Sequence, residues 1–234
     1  MKLSAIQRFT LLDFPGRVAA IAFTPGCDLR CGFCHNPEFV LPERLCRIAE
    51  SFIPEDNFFR FLEKRRGLLD GVVVSGGEPT IWRDLPDFLG RIKALGFSTK
   101  LDTNGNNPDM LERLLAERLV DYVAMDVKTS LWRYRELAGS GAKPANIERS
   151  IGLIQESSIG YEFRTTLIRE HHTDATLAEL SSLLEGAEEW RLQTFRPEET
   201  LDPAFAWYHG FDSDEMVQLA ERFQTSGRRV GIRS

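Results

Sequence analysis

Hydrophobic positions along the chain alternate between two spacings, one typical of buried strands and one typical of amphipathic helices. Short apolar runs predict strands, and apolar residues three and four positions apart predict helices. Strands are predicted over residues 17–23, 71–74, 98–101, 122–127, 161–167, 190–195 and 229–232. Helical segments lie between them and give about six βα units, a pattern typical of a parallel sheet covered by helices.

Periodicity leaves open whether this sheet closes fully, stays a partial barrel or opens into a doubly wound sheet. In all three, chemistry gathers at the carboxyl ends of the strands. No repeat of fixed period and no Gly/Ser-rich linker interrupts the pattern, so residues 1–234 are predicted to form one domain. Asp212 and Glu215 have the spacing of a capping box, and Asn146 is predicted to cap the helix that begins with Ile147.

Composition narrows the classes of function. The chain has 234 residues and a formal net charge of −6, which disfavours nucleic-acid binding through a broad basic field. No uncharged apolar run approaches the ~18 residues of a membrane-spanning helix. Residues 1–17 contain polar and charged positions that are not typical of a signal peptide. We therefore expect a cytoplasmic enzyme or binding module with neither membrane nor nucleic acid as its partner.

All four cysteines of the chain are confined to residues 27–46. Cys27, Cys31 and Cys34 have Cx3Cx2C spacing and directly follow a predicted strand. One short loop can bring three thiolates to three corners of an iron–sulfur cube, which leaves the fourth iron open for a substrate or cofactor. This spacing makes the three cysteines candidate ligands of a [4Fe–4S] cluster.

Other interpretations of the cysteines stay open. A structural zinc site usually has a second pair of ligands, which is missing here. Residues 31–35 also match the attachment pattern of c-type haem, but that assignment needs export and leaves Cys27 unexplained. Cys31 and Cys34 could form a redox dithiol. Cys46 could be a fourth cluster ligand, although its distance along the chain favours a free buried cysteine.

Glycines and polar residues end three further predicted strands. The Gly76-Gly77-Glu78-Pro79 motif allows close backbone approach, and the alternatives are a plain turn or a phosphate loop without its Gly-Lys-Ser/Thr. The Asp102-Thr103-Asn104-Gly105 and Asp126-Val127-Lys128 motifs end the next two strands. The carboxyl edge of the sheet is therefore predicted to carry these groups beside the cysteines.

Together the cysteine and Gly-Gly-Glu-Pro motifs resemble the radical S-adenosylmethionine (SAM) superfamily. From about Thr10 to the C-terminus the chain is most similar to activases of glycyl-radical enzymes. The Asp13-Phe14-Pro15-Gly16 and Cys34-His35-Asn36-Pro37 motifs are similar to the branch that activates anaerobic ribonucleoside-triphosphate reductase. The pyruvate formate-lyase activating enzyme is a near relative of that branch. The resemblance implies an α/β fold, a partial (β/α)6 TIM-like barrel.

The resemblance also implies cofactors and site residues. Cys27, Cys31 and Cys34 would hold a [4Fe–4S] cluster, with SAM at its open iron. Phe33 would lie beside the adenine, and Lys128 near the carboxylate. The implied cofactor-binding set is Phe33, Cys34, His35, Gly76, Gly77, Glu78, Asp102, Asn104, Asp126, Val127, Lys128, Arg164 and Arg196.

Two arginines in that set raise separate expectations. Arg164 lies on the predicted fifth strand, and an arginine that faces the inside of a barrel needs an anionic partner. Arg196 stands where the pyruvate formate-lyase enzyme has a histidine, so this position departs from that family pattern.

The His171-His172 pair has no partner motif and is predicted to form a polar turn.

The implied activity is that of an oxidoreductase. One electron from the cluster would cleave SAM to methionine and a 5′-deoxyadenosyl radical, which would take a hydrogen atom from a glycine Cα of a partner enzyme. Anaerobic ribonucleotide reductase is the expected partner, and flavodoxin or ferredoxin the expected electron donor. The cofactor supplies the chemistry, so no side chain need act as acid, base or nucleophile.

Two alternative functions are retained. One is a radical SAM enzyme that acts on a small molecule, as the deazapurine-forming synthases do, although no side chains that would recognise a heterocycle are identifiable. The other is a non-catalytic metal-binding module that recruits a partner, which leaves the Gly-Gly-Glu-Pro and Asp-Val-Lys motifs unexplained. The segment from residue 35 to residue 75 contains a single cysteine, Cys46. It therefore has no second cysteine cluster.

Overall fold

Strands and helices alternate along residues 1–233, the part of the chain that the computed structural model describes. The strands are β1 Lys2–Leu3, β2 Ala5–Thr10, β3 Ala19–Thr24, β4 Ile53–Pro54, β5 Gly71–Gly76, β6 Ser98–Thr103, β7 Tyr122–Asp126, β8 Gly160–Leu167, β9 Glu189–Thr194 and β10 Arg229–Arg233. The α-helices are α1 Pro42–Ile48, α2 Glu55–Glu63, α3 Leu85–Ala94, α4 Pro108–Ala116, α5 Tyr134–Ala138, α6 Pro144–Gln155, α7 Asp174–Leu183 and α8 Ser213–Phe223.

The central sheet has the strand order β10-β9-β8-β7-β6-β5-β3-β2. Every neighbouring pair from β3 to β10 is parallel, and β2 pairs antiparallel with β3. Within the described residues β2 and β10 form the two edges, so the predicted partial barrel is confirmed. The antiparallel β2 was not predicted, because its residues neither alternate between apolar and polar nor form an apolar run, and three of them, Gln7, Arg8 and Phe9, are exposed.

An ion pair spans the gap between the two edges. Arg233, at the end of β10, donates to an Asp13 carboxylate oxygen at 2.6 Å, and Asp13 lies just after β2. The pair lies where a closed barrel would have strand pairing. Among residues 1–233, no helix has both the length and the apolar character to cross a membrane.

Buried aliphatic residues explain the position of the core. Val72, Val73 and Val74 on β5 are fully buried, as expected of a central parallel strand covered on both faces. Helix α3 turns its apolar side to the core, with Phe88 and Ile92 buried. This rigid layer fixes the strand ends, and therefore fixes the loops that carry the polar motifs.

The two predicted helix caps had different outcomes. The capping box of Asp212 and Glu215 is present at the start of α8, with both reciprocal hydrogen bonds. The predicted cap at Asn146 is wrong, because α6 begins earlier, at Pro144. Proline suits the first position of a helix, where its missing N–H costs no hydrogen bond. Asn146 instead lies in the first turn, and its amide donates to the Asn106 carbonyl at 2.8 Å.

Candidate active site

Three thiols line one cavity at the carboxyl edge of the sheet. Cys27, Cys31 and Cys34 lie in the loop after β3, and all three are buried or half-buried. The cavity encloses about 850 Å³ of space outside protein atoms, counting its open mouth. Burial raises the pKa of Cys31 to about 11 and also raises the pKa of the other two thiols. Metal binding must therefore displace their protons.

The cysteine loop is held by backbone hydrogen bonds to the turn after β5. The Gly77 N–H donates to the Thr24 carbonyl at 2.8 Å, and the Glu78 N–H donates to the Gly26 carbonyl at 2.7 Å. A Cβ on Gly77 would lie 2.0 Å from the Gly26 carbonyl oxygen, and one on Gly76 would lie 2.3 Å from the Thr24 nitrogen. Both glycines are therefore required by the close approach of the two loops, as well as by any ligand above them.

Glu78 joins the turn after β5 to the turn after β6. One carboxylate oxygen accepts hydrogen bonds from the Thr80 N–H and hydroxyl and from the Thr103 hydroxyl, and the other accepts from the Asn104 N–H at 2.7 Å. The side chain is 1% exposed. Burial raises the pKa of Glu78 to about 7, although these donors partly offset it. Glu78 thus lines the cavity while its carboxylate is engaged within the protein.

Asp28 links the cysteine loop to the turn after β6. One of its carboxylate oxygens accepts from the Asn104 amide at 2.9 Å, and the other accepts from the Asn106 amide at 2.6 Å. The Asn106 amide also donates to the Gly141 carbonyl at 3.1 Å. These contacts add to the backbone hydrogen bonds that hold the cysteine loop against the turn after β5.

Charges of alternating sign lie along the inner face of the barrel. Lys128 Nζ lies 3.0 Å from Asp126 Oδ2, and Arg164 Nε lies 2.7 Å from Asp126 Oδ1. Arg164 also lies 3.4 Å from Asp102, whose other oxygen is 2.8 Å from the fully buried Lys100. The series Lys100, Asp102, Arg164, Asp126 and Lys128 therefore runs without a break from inside the barrel to the cavity.

The charges determine each other's protonation. Burial opposes ionisation of Asp126, but Arg164 and Lys128 outweigh it and hold the pKa of this carboxyl well below its usual range. Burial likewise opposes the charge on Lys128, but Asp126 raises its pKa above the ordinary lysine value. Lys128 is therefore a permanent cation beside the cavity, with its Nζ 5.7 Å from the centre of the Phe33 ring.

Most of the predicted site residues meet at this cavity. Its lining includes the three loop cysteines together with Phe33, His35, Gly76, Gly77, Glu78, Asp102, Asn104, Asp126, Lys128 and Arg164. Arg164 faces inward and has its expected anionic partners, Asp102 and Asp126. The individual binding roles of these residues stay predictions.

Three residues lie elsewhere. The Val127 side chain is fully buried in the core, and only its backbone lies at the strand end. Arg196 is exposed and lines a neighbouring cavity, while its carbonyl lies 2.9 Å from His35 Nε2. The expectation that Cys46 is buried is wrong, because this cysteine is exposed on α1. The sequence around Cys46 has apolar neighbours, which do not reveal the side of a short helix that faces solvent.

Sequence reasoning missed two buried residues behind Lys128. Tyr134 is fully buried and His172 is 2% exposed, and both contact the Lys128 backbone. The predicted polar turn at His171 and His172 is therefore wrong for His172. Its ring fills a gap between two loops that are distant in sequence, and no local pattern marks such a position.

A profile of the radical SAM superfamily matches residues 21–184, which include the cysteine loop, the glycine motif and both aspartates. The chain belongs to the radical SAM superfamily. This confirms the predicted family, and it makes the protein an enzyme of the class that uses a [4Fe–4S] cluster and SAM. The non-catalytic recruitment module is thereby disfavoured.

Three relatives differ in how much of the chain they match. A Methanocaldococcus jannaschii protein, named as a candidate glycyl-radical enzyme activating enzyme, is 29% identical over 208 residues, 87% of this chain and 83% of its own. A pyruvate formate-lyase-activating enzyme of Listeria monocytogenes is 33% identical over 137 residues, 54% of this chain and 53% of its own. A 7-carboxy-7-deazaguanine synthase of Thermococcus kodakarensis is 27% identical over 118 residues, 44% of this chain and 46% of its own.

A solved structure supports the fold. Streptococcus suis SuiB bound to SAM superposes with a TM-score of 0.65 at 18% identity, over 92% of this chain and 52% of SuiB. The chain therefore spans about half the length of SuiB and of the Listeria enzyme. At this identity the likeness concerns the barrel alone.

The donor set of this radical SAM site fits the cofactors of the superfamily. Three soft thiols in one loop are typical ligands of an iron–sulfur cluster. Within residues 1–233 no three His, Cys, Asp or Glu side chains converge on the position of a single metal ion. A zinc ion would need ligand sulfurs at about 2.3 Å from one point, whereas a cube accepts more widely separated sulfurs. Beside the thiols, the Lys128 cation suits a carboxylate such as that of SAM.

Proposed function

We propose that the chain is an activase that abstracts a hydrogen atom from a glycine Cα of a glycyl-radical enzyme. The observation that carries this proposal is the match to the Methanocaldococcus relative, which extends over 87% of this chain and 83% of that protein. When bound, the cluster and SAM supply a one-electron cleavage that yields methionine and the 5′-deoxyadenosyl radical. The side chains described above bind, orient and shield these groups.

The surroundings of the cavity support a macromolecular substrate. A second cavity adjoins the first and shares His35 and Thr166 with it. It is lined by Gln193, Thr194 and Arg233, near the gap between the barrel edges. A peptide segment of a partner protein could reach the first cavity from this side, with polar side chains to bond its backbone.

The partner and setting are part of the same proposal. We propose anaerobic ribonucleotide reductase as the partner, on the strength of the Asp13-Phe14-Pro15-Gly16 and Cys34-His35-Asn36-Pro37 motifs. Flavodoxin or ferredoxin would donate the electron. The reaction would take place in the cytoplasm, because exposed Cys46 and the cluster thiols need a reducing compartment. Residues 1–234 would act as a single radical SAM domain.

The experiment uses the reduced, cluster-loaded protein under anaerobic conditions. Alone it should cleave SAM slowly to 5′-deoxyadenosine and methionine. With a glycyl-radical ribonucleotide reductase it should produce a protein radical with a doublet electron resonance signal. Deuterated glycine in the partner should pass deuterium into 5′-deoxyadenosine and collapse the doublet, because the remaining α-hydrogen causes the splitting.

Two controls decide between partners. A reductase with alanine at the radical glycine should give no radical, and a pyruvate formate-lyase type partner tests the branch assignment. Cleavage with no radical on either partner would contradict the proposal. Deuterium arriving instead from a heterocyclic small molecule would favour a synthase, the activity in the name of the Thermococcus relative.

A further inference from the structure

Lys128 is held at both of its peptide groups by buried side chains. Its N–H donates to the Tyr134 hydroxyl at 3.1 Å, and its carbonyl oxygen lies 3.0 Å from His172 Nε2. The Tyr134 side chain is fully buried, and His172 is 2% exposed. Because buried backbone groups need partners, these two contacts define the orientation of the Lys128 backbone.

The two partners of the His172 ring determine which nitrogen carries the proton. The Ile168 N–H lies 3.0 Å from Nδ1, so Nδ1 accepts a hydrogen bond. The Ile168 carbonyl, 3.1 Å from the same nitrogen, already accepts from the His172 N–H at 2.8 Å. Nε2 therefore carries the proton and donates to Lys128. Burial lowers the pKa of His172 to about 4, so the neutral ring persists at ordinary pH.

The side chain of the clamped residue faces the cavity. Lys128 is a flexible side chain, so the position of its ammonium depends on where its backbone is held and on its contact with Asp126. Asp126 precedes Lys128 by two residues, and Tyr134 also donates to the Asp126 carbonyl at 3.4 Å. The clamp thus controls both members of the ion pair at the rim of the cavity.

We propose that His172, together with Tyr134, is a positioning residue for SAM binding that acts through the Lys128 backbone. The inference rests on the proposed contact between Lys128 and the SAM carboxylate. It goes beyond the activase proposal, since it applies to whatever substrate the radical attacks. The experiment below separates failure of the clamp from failure of the Lys128 contact.

Two amide substitutions test the two hydrogen bonds of the His172 ring separately. His172→Asn keeps an acceptor for the Ile168 N–H and loses the donor to Lys128, whereas His172→Gln keeps a donor near the Nε2 position. SAM affinity of the cluster-loaded protein should fall about threefold to tenfold in His172→Asn and less than about twofold in His172→Gln. Equal losses of affinity in the two variants would overturn the proposal.

A double-mutant cycle tests whether the effect passes through Lys128. In a Lys128→Ala background, His172→Asn should weaken SAM binding no further, although it should still lower the melting temperature. A further loss of affinity in that background would show a general structural role and overturn the proposal. Unchanged affinity in Lys128→Ala alone would overturn the Lys128 contact, and with it the clamp.

Tyr134→Phe provides an independent test if the His172 variants do not fold. It removes the acceptor for the Lys128 N–H while keeping the ring. Its matched control is Tyr161→Phe. The Tyr161 hydroxyl likewise accepts a hydrogen bond from a backbone N–H, that of Glu188, at a distance of 3.1 Å. This bond lies outside the cavity. SAM affinity should fall about threefold to tenfold in Tyr134→Phe and stay constant in Tyr161→Phe. The same affinity in both variants would overturn the clamp.

Discussion

Arg164 donates a hydrogen bond from Nε to Asp126 Oδ1 at 2.7 Å, and the two residues are register partners on β8 and β7. The parallel register therefore places a cation directly beside the carboxylate that faces Lys128. Asp126 stays ionised because of this neighbour, and Lys128 stays charged because of Asp126. The strand pairing itself thus maintains the cation at the proposed SAM site, with Asp126 between Arg164 and Lys128.

The first prediction concerns the cluster ligands. Cys27→Ala, Cys31→Ala and Cys34→Ala should each lose cluster iron and the ~400 nm absorption after anaerobic reconstitution, because each removes one of three thiolates in a single loop. Cys46→Ala is the matched control and should retain full iron, since Cys46 is exposed and outside the cavity. Normal loading in Cys31→Ala, or loss in Cys46→Ala, would contradict the assignment.

The second prediction concerns Lys128. Lys128→Ala should weaken SAM binding roughly tenfold to a hundredfold while the cluster still assembles, because the contact proposed for the ammonium is with the cofactor and not with iron. Binding is measured by anaerobic titration alongside iron analysis. Lys93→Ala is the control, since Lys93 bonds Asp121 at 2.6 Å at the opposite end of β7. Equal SAM affinities in the two variants would mean that Lys128 only forms a structural ion pair with Asp126.

The third prediction concerns Lys100, which is fully buried between Asp102 at 2.8 Å and Glu162 at 3.8 Å. Lys100→Met should lower the free energy of unfolding by about 1.5–3 kcal/mol, because it removes a charged hydrogen bond to Asp102 and a cation shared with Glu162, while Arg164 remains 3.4 Å from Asp102. Denaturant unfolding measures the loss. Arg113→Ala, which breaks an exposed pair with Glu117, should change stability little. A similar small change in Lys100→Met would mean that water or Arg164 compensates.

The fourth prediction uses the pKa of His172, which burial lowers from 6.5 to about 4. A lowered pKa contributes stability that is present above pH 6.5 and lost as the pH falls toward 4. The stability difference between the wild type and His172→Asn should therefore shrink by about 3 kcal/mol over that range. A difference that stays constant with pH would show that His172 titrates normally in the folded protein.

The fifth prediction concerns Glu78, whose contribution to stability changes with pH in the opposite direction to that of His172. Burial raises the pKa of Glu78 from 4.5 to about 7. The stability that protonated Glu78 contributes to the folded state is therefore fully present below pH 4.5 and is lost as the pH rises through 7. Glu78→Gln removes the titration and keeps the shape of the protonated acid. The stability of the wild type relative to Glu78→Gln should fall by about 3 kcal/mol between pH 4.5 and 7. A relative stability that rises with pH would mean that the four hydrogen-bond donors outweigh burial.

The amino-acid sequence by itself determined the alternation of strands and helices and the residues at the strand ends. Apolar runs such as Val72–Val74 predict buried parallel strands because each can be covered only by helices. The cysteine spacing and the glycine motif then identify the family, since few chemistries need three thiolates in one loop. From parallel strands it follows that Cys27, Gly76, Asp102 and Asp126 share one edge of the sheet.

Only the tertiary structure decided which side chains meet and which do not. Arg164 could be placed inside the barrel only through the register of β7 and β8, and Arg196 lies outside the cavity because its loop turns to solvent. Exposure of Cys46 and burial of His172 are both contrary to expectation. Local spacing records the period of one element, whereas a buried histidine that bonds a carbonyl 44 residues away depends on how two loops pack together.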